Sequence, residues 1–571
     1  MTPKPIATAN LDGTAKQALE TGRTRLLVGG ALFAVAFSAI AFRLADVSVV
    51  KPAGEPNITA SRGVPAFTAG RADIVDRNGL VLATSLNTAS LYANPQHVLD
   101  AREAAERLSR ILPELRPAEL VSKLTSGRSF VWIKRHLTPR QHYAVNRLGV
   151  PGLYFQREER RVYPQGRLFS HLIGFAGTDG IGLAGLEKKF NDTLRAGAKP
   201  LALSVDSRIQ HILRQELVAT KARFRATGAA GVVMDVDSGE IIAMASLPDF
   251  DPNLPDRSPA KARFNRATLG VYEMGSTFKI FTTAMALDSG AVRMTGGFDA
   301  SRPIRIARFR ISDYHGKNRW LSVPEIFMYS SNIGSAKMAL AVGTRAQRDY
   351  LDRLGLLTAP RLEVPEVGTP LVPARWRQIN TMTIAYGHGI AVSPVQIAEA
   401  VAAVVNGGWR RPATVIKPLD GERAQGRRVL RRQTSANMRK LLRLAVTGGT
   451  GRQGEAQGYL VGGKTGTAEK IGGQGYRDKA LISSFVGVFP IHAPRYVVLV
   501  VVDEPHGNKR THGYATGGWV AAPAVSRLIS RAGPLLGIAP IDEDAQAVQR
   551  ALRIRIPTAA RGRRGHDVAS F

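Results

Sequence analysis

At 571 residues the chain is longer than one ordinary domain, and domains of roughly 100–200 residues predict two or three. Apolar residues make up 44%, enough for a sizeable core, while the absence of cysteine excludes a disulfide framework and any thiolate metal site and is compatible with an oxidising compartment. The net charge of +33 suits a polyanionic partner or a solvated arginine-rich surface, yet no zinc-finger spacing, basic-region heptad or RNA-binding aromatic signature supports nucleic acid.

The first element is apolar. Leu26 to Phe42 carries no charge, is 17 residues long and is flanked by Arg23, Arg25 and Arg43. That is the short end of what spans a bilayer. Lys4, Lys16, Arg23 and Arg25 precede it, so the positive-inside rule keeps residues 1–25 cytoplasmic and exports the chain beyond the span at 26–45. Ala39-Ile40-Ala41 also resembles a signal-peptidase site, whose cleavage would release the exported part.

Lys51 to Gly70, rich in Pro, Gly, Ala and Thr, reads as a linker opening a first exported region, 46–222. Short strand runs at 72–76 and 80–82 flank Asp76-Arg-Asn-Gly79, a hairpin signal. Amphipathic helices are expected near Asp100 to Leu112 and Arg208 to Thr220. A second region, 223–540, opens with a hairpin of 231–237 and 240–245 around Ser238-Gly239. Helical stretches follow to about Val405, and strands return at 482–489 and 495–502. Strands, helices and strands again predict an α+β domain with helices on a largely antiparallel sheet. Residues 541–571, with Arg561, Arg563 and Arg564, read as a disordered basic tail.

Three short motifs carry chemistry. Ser276-Thr-Phe-Lys279 opens the apolar run Ile280 to Leu287. Residues three apart share a helix face, so the hydroxyl and the amine can touch. A serine needs a base to become a nucleophile, and lysine serves only when burial or a second cation keeps it neutral. Taken alone the motif fits a helix cap and a solvated lysine equally well. Ser330-Ser331-Asn332 follows a capping box, Ser322-Val-Pro-Glu325, and precedes the helix Ile333 to Leu340. It could relay a proton and orient a bound amide, or simply cap the helix. Lys464-Thr465-Gly466-Thr467 offers a cation and two hydroxyls for a carboxylate beside glycines that admit a ligand backbone. Gly458, Gly463, Lys464 and Thr465 also fit a phosphate-binding loop, but Gly472, Gly473 and Gly475 follow, where such a loop requires a helix.

The three motifs in this order form the site pattern of penicillin-interacting serine enzymes. The chain resembles the class B penicillin-binding proteins, the peptidoglycan D,D-transpeptidases, and most of all their division-specific type. Further matches are Gly70-Arg-Ala-Asp-Ile-Val-Asp-Arg-Asn-Gly79, Arg160-Arg-Val-Tyr-Pro164, Gly182-Leu-Ala-Gly-Leu-Glu187, Tyr386-Gly-His-Gly389 through Pro394 and Gln396, Asp503-Glu-Pro505 and Ala521-Ala-Pro523. Met274 replaces the usual proline before Gly-Ser, and Ala72 a frequent glycine after Arg71; neither touches a reacting group.

The resemblance implies a penicillin-binding/β-lactamase-like transpeptidase domain behind a pedestal domain and one membrane helix, in the bacterial inner membrane with the catalytic domain outside the cytoplasm. It implies Ser276 as acylated nucleophile and Lys279 as its base. Ser330 and Asn332 would pass the proton and hold the donor peptide. Lys464, Thr465, Gly466 and Thr467 would bind the substrate, Lys464 also helping to keep Lys279 neutral. The backbone N–H groups of Ser276 and Thr467 would form the oxyanion hole. The donor would be a stem peptide ending in D-Ala-D-Ala, β-lactams would acylate the same serine, and no metal or organic cofactor is implied. A polytopic polymerase of the FtsW type and other division proteins would be partners. An elongation-specific transpeptidase, a β-lactamase or carboxypeptidase, and a catalytically silent scaffold on the same fold are the competing readings.

Overall fold

The computed structural model describes residues 13–45, 70–197, 199–306, 309–419, 425–472, 475–554 and 556. The chain divides into two units, Met1–Thr68 and Ala69–Phe571. In the first, one helix, α1 (Gly13–Ala45), runs 33 residues, about 50 Å at 1.5 Å per residue. Its segment Arg23–Phe42, of mean hydropathy 2.0 and with none of it buried, is long and apolar enough to cross a membrane. The helix starts well before the charge-free run and includes Lys16, Arg23 and Arg25. The linker expected at 51–70 lies outside the described residues except for Gly70.

The second unit begins with a five-stranded sheet built from β1 (Ile74–Val75), β2 (Val81–Ala93), β3 (Val131–Leu137), β4 (Leu153–Val162) and β5 (Leu201–Ala202). The Asn-Gly turn joins β1 and β2 as the sequence predicts. Strand β2 then continues to Ala93, pairing β4 without a break from Thr84↔Val162 to Ala93↔Leu153. Neither β3 nor β4 is legible in the sequence. Strand β4 contains Arg157-Glu-Glu-Arg-Arg161, residues of low strand propensity that form a strand because β2 supplies the ladder. Beneath this sheet, a helix over Ala101–Ile111, capped by Asp100, buries Ala104, Ala105 and Leu108 against Leu91, Ile133 and Leu137.

The pedestal motifs converge on one buried carboxylate. Glu187 takes Arg71 Nε at 2.6 Å on one oxygen and Arg161 Nε at 2.6 Å on the other. Tyr163 donates its hydroxyl to Glu187 at 3.4 Å and accepts from the Ala176 N–H at 2.8 Å. Three segments far apart in sequence are thereby fastened at a point from which water is excluded. Ala72, Leu82, Tyr163 and Leu186 around it belong to the same apolar core as the catalytic region, so pedestal and catalytic region are packed continuously.

Helix α2 (Ser207–Arg223) leads into the central sheet of β6 (Gly228–Asp235), β7 (Ile241–Leu247), β8 (Gly462–Gly472), β9 (Gly475–Phe489) and β10 (Tyr496–Asp503). Its order is β8-β9-β10-β6-β7 and every pairing is antiparallel. The predicted hairpin around Ser238-Gly239 is present. Strand β10 reads YVVLVVVD and is buried along its length, as a central strand covered on both faces requires. One face is covered by α2 and α7 (Ala522–Ala532), which share a core with Phe485, Val498 and Val500. The other carries α3 (Lys279–Asp288), α4 (Asn332–Val342), α5 (Pro394–Val405) and α6 (Arg432–Thr447). Helix α5 is buried all round, so it must be surrounded by other elements. Its N-terminus is fixed by a Ser393/Gln396 capping box, and the Gln396 amide also donates to Gly355 O and Thr358 O at 2.9 and 2.8 Å.

Two sequence expectations need adjustment. Although α2 falls, all but Arg223, within 46–222, it packs on the central sheet. The tail expected from 541 is ordered over its first part: Ile541 N donates to Gly458 O at 2.8 Å, and α8 (Gln546–Leu552) buries Val548 in the main core. Four apolar anchors, Ile541, Ala545, Leu552 and Ile554, outweigh the basic composition there. Arg561, Arg563 and Arg564 lie outside the described residues.

Candidate active site

The serine stands where a 3-10 turn, Gly275–Phe278, runs directly into α3. In a 3-10 turn residues i and i+3 eclipse one another, so the side chains of Ser276 and Lys279 lie one above the other. Lys279 Nζ is 3.1 Å from Ser276 Oγ.

The turn is pressed onto β8 by the loss of side chains. A Cβ on Gly466 would stand 2.4 Å from Met274 O, Ser484 Oγ and Thr277 Oγ1 alike. One on Gly275 would stand 2.3 Å from Thr467 O and 3.2 Å from Thr467 N. Behind Gly275 lies Gly387, at φ +83° with its missing Cβ 2.1 Å from Gly275 O. Gly389 N–H donates to Glu273 Oε1 at 2.7 Å, tying that turn to the residue before Met274. This explains two family-like motifs: glycine in each is the condition for backbone-to-backbone packing around Ser276.

The second motif closes over the lysine. Ser330 adopts φ +59°, a left-handed conformation costly for a side chain. Its carbonyl then faces Lys279 Nζ in a short hydrogen bond, and its hydroxyl lies 3.1 Å from the same nitrogen. Asn332 Oδ1 accepts from Lys279 at 2.7 Å. From β8, Lys464 Nζ reaches Ser330 Oγ at 3.0 Å. Strand alternation puts Thr465 and Thr467 on the other face from Lys464 and Gly466. Thr465 Oγ1 meets Thr450 Oγ1 at 2.7 Å, and Thr467 Oγ1 accepts from Gly517 N at 3.0 Å. Thr450 and Gly517 are neighbours that the sequence reading missed; neither sits in a motif. The phosphate-loop pattern is excluded: Gly462 to Gly472 is strand, and another strand follows.

Lys279 and Lys464 are both fully buried. Burial first, and then the Lys464 charge, holds the Lys279 ammonium well below the usual lysine range, against an opposing pull from Asp313. Burial brings Lys464 down to about 7. Burial and the Lys464 charge both favour the neutral amine at Lys279. Four oxygens surround its nitrogen, and an ammonium has three hydrogens. A neutral amine donates to Ser330 O and Asn332 Oδ1 and keeps a lone pair for the proton of Ser276. The arrangement can thus activate a serine hydroxyl without histidine or metal ligands. Among the described residues no cluster of His, Cys, Asp and Glu could hold a metal ion.

A buried Ser–Lys pair with a Ser-x-Asn turn and a Lys-Thr-Gly strand, on an antiparallel sheet between helical layers, defines a serine acyl-transfer enzyme of the penicillin-interacting class. Residues 229–530 match the penicillin binding protein transpeptidase domain and residues 66–222 the penicillin-binding protein dimerisation domain. The chain is 42% identical over 481 residues to the probable peptidoglycan D,D-transpeptidase FtsI of Caulobacter vibrioides, covering 82% of each chain. It is 31% identical over 565 residues to the peptidoglycan D,D-transpeptidase FtsI of Escherichia coli K12, covering 92% of this chain and 93% of that one. Among solved structures, the transpeptidase domain of Burkholderia pseudomallei penicillin-binding protein 3 superposes with a TM-score of 0.54 at 33% identity, over 59% of this chain and 97% of that one. A peptidoglycan synthetase from Bifidobacterium adolescentis shares the fold over 84% of this chain and 98% of its own, with a TM-score of 0.66 at 21% identity. The chain belongs to the class B penicillin-binding proteins.

Proposed function

We propose that this protein is a peptidoglycan D,D-transpeptidase that cross-links stem peptides during septal wall synthesis. The observation that carries the reading is the contact of Lys279 Nζ with Ser276 Oγ at 3.1 Å in a pocket where a second buried lysine disfavours the protonated base. Relatives named as D,D-transpeptidases of the FtsI type support the division role.

In this reading Ser276 attacks the carbonyl of the penultimate D-Ala, and its proton passes to Lys279. The N–H groups of Ser276 and Thr467 receive the developing oxyanion. Ser330, within reach of both lysines, relays the proton to the departing D-Ala, and Asn332 holds the donor peptide. Thr465 and Thr467 take the terminal carboxylate, while Lys464, on the other face of the strand, acts through Ser330, and Gly466 lets the Ser276 turn pack onto the strand. An amine of a neighbouring stem peptide then resolves the acyl-enzyme. β-Lactams mimic the donor and stop at the acyl stage.

In this reading residues 46–222 form the pedestal and 223–540 the transpeptidase domain. Helix α1 serves as a single-pass anchor in the inner membrane, with the pedestal and catalytic domain outside the cytoplasm. A polymerase of the FtsW type is the expected division partner.

Covalent labelling by a fluorescent penicillin tests the chemistry, wild type beside Ser276→Ala. A stable band lost in the variant supports the acyl-enzyme. No band from folded wild-type protein leaves the silent scaffold, and a band that fades within minutes points to hydrolysis.

A further inference from the structure

The Ser-Ser-Asn turn has two jobs that compete for the same side chains. It must terminate the N-terminal end of α4, whose first N–H groups lack helical acceptors, and it must present Ser330 and Asn332 to Lys279. A carboxylate from outside the motif separates the jobs. Asp313 follows a small hairpin of Ile304–Ile306 and Phe309–Ile311. Its Oδ1 accepts from Asn332 N at 2.6 Å and Ile333 N at 3.0 Å, and its Oδ2 accepts from Ser331 Oγ at 2.7 Å. Ser331 Oγ in turn accepts from Gly334 N at 2.9 Å. The N–H groups of Asn332, Ile333 and Gly334 at the start of α4 are thereby satisfied without Ser330 or the Asn332 amide. The Asn332 Nδ2 donates to Ser312 O at 3.0 Å, on the same segment, which aims Oδ1 at Lys279.

We propose that Asp313 is a positioning residue of the acyl-transfer reaction, holding Ser330 in its left-handed conformation and Asn332 in its rotamer so that both meet Lys279. The inference rests on the transpeptidase reading above. Two further observations support it. Ser330 has no glycine-like freedom at φ +59°, so its conformation must be imposed by neighbours, and Asp313 grips the next three residues. Asp313 is also a negative charge acting on Lys279. The other groups facing Lys279 are Lys464 from β8, His388 from the turn after the helix at 378–384, the hydroxyls of Ser276 and Ser330, and the Asn332 amide.

The charge and the hydrogen bonds can be separated. In Asp313→Asn the amide oxygen still accepts from the two N–H groups and its NH2 donates to Ser331 Oγ, but the charge is gone. Lys279 then loses its proton at lower pH. In Asp313→Ala the grip itself is lost. The measurement is the acylation rate constant of the full-length protein with a fluorescent penicillin, from pH 5 to 9, with melting temperature beside it. For Asp313→Asn we expect a plateau within a few-fold of wild type and an acid limb displaced to lower pH. For Asp313→Ala we expect a plateau reduced on the order of 100-fold, the cost of a displacement of about 1 Å in a reacting group. Wild-type rates and profile in both variants would overturn the proposal. So would equal rate losses tracking the melting temperature with an unmoved limb, which is what a purely structural role predicts. Labelling of the wild type in the same experiment keeps these outcomes distinct from failure of the transpeptidase reading.

Discussion

Lys279 and Lys464 share one acceptor: their nitrogens stand 3.1 and 3.0 Å from the same hydroxyl, that of Ser330. Two cations cannot comfortably occupy such a site without water, so burial of both lysines, and for Lys279 the Lys464 charge, works against the protonated amines. In the proposed mechanism this is what lets Lys279 serve as the base, and it makes both lysines sensitive reporters.

Stability depends on the sign of the shift. Lys464 is lowered from 10.5 to about 7, so between those values the unfolded chain binds a proton that the folded chain does not. Stability therefore rises with pH across that window as far as the folded chain releases the proton first, and the burden is largest when both states must carry it, below about 7. Replacing Lys464 by Met removes it. The variant should be more stable at pH 6.5, on the order of 5 kcal/mol at about 1.4 kcal/mol per pKa unit, and the advantage should vanish towards pH 10. Thermal unfolding at several pH values checks this, and an advantage independent of pH would contradict it.

The same substitution should cripple chemistry. Without the Lys464 charge, Lys279 regains affinity for its proton. Acylation by penicillin should fall on the order of 100-fold at neutral pH, with its acid limb displaced upward, opposite to the displacement expected for Asp313→Asn. Stopped-flow acylation across pH resolves the two directions.

Gly387→Ala tests backbone packing behind the serine. A Cβ there would stand 2.1 Å from Gly275 O at a φ of +83°. The turn that carries Ser276 must shift, and a shift of about 1 Å predicts an acylation loss on the order of 100-fold, although residue 387 touches no reacting group. Normal acylation in this variant would show that the contact is compliant.

Removing Glu187 leaves the Arg71 and Arg161 guanidiniums buried without their carboxylate. Glu187→Ala should cost about 3–5 kcal/mol in the pedestal, seen as an early transition in urea unfolding and as new proteolytic cuts before residue 200. Penicillin acylation of molecules still folded should be close to wild type.

Much of the site is legible in the linear chain because its parts are local. Ser276 and Lys279 are three apart, Ser330 and Asn332 two apart, and Lys464 to Thr467 contiguous. The capping box at Ser322, the hairpins at Asn78-Gly79 and Ser238-Gly239, and the helix after Asp100 are likewise signalled by neighbouring residues. Strand β4 is not, because its charged run forms a strand only when β2 lies beside it. Asp313 and Thr450 are not, because each matters through a partner 18 or 15 residues away with no periodicity between them.

By itself the sequence determined the apolar N-terminal span, the α+β order of elements and the residue types of the reaction. The tertiary structure decided which groups meet and in what protonation state. Lys464 reaches Ser330 across 134 residues only because the fold brings β8 against the turn before α4, and a lysine can act as a base only where packing removes water. Chemical identity is written in the chain one residue at a time, whereas charge state is a property of the surroundings, which exist only once the chain has folded.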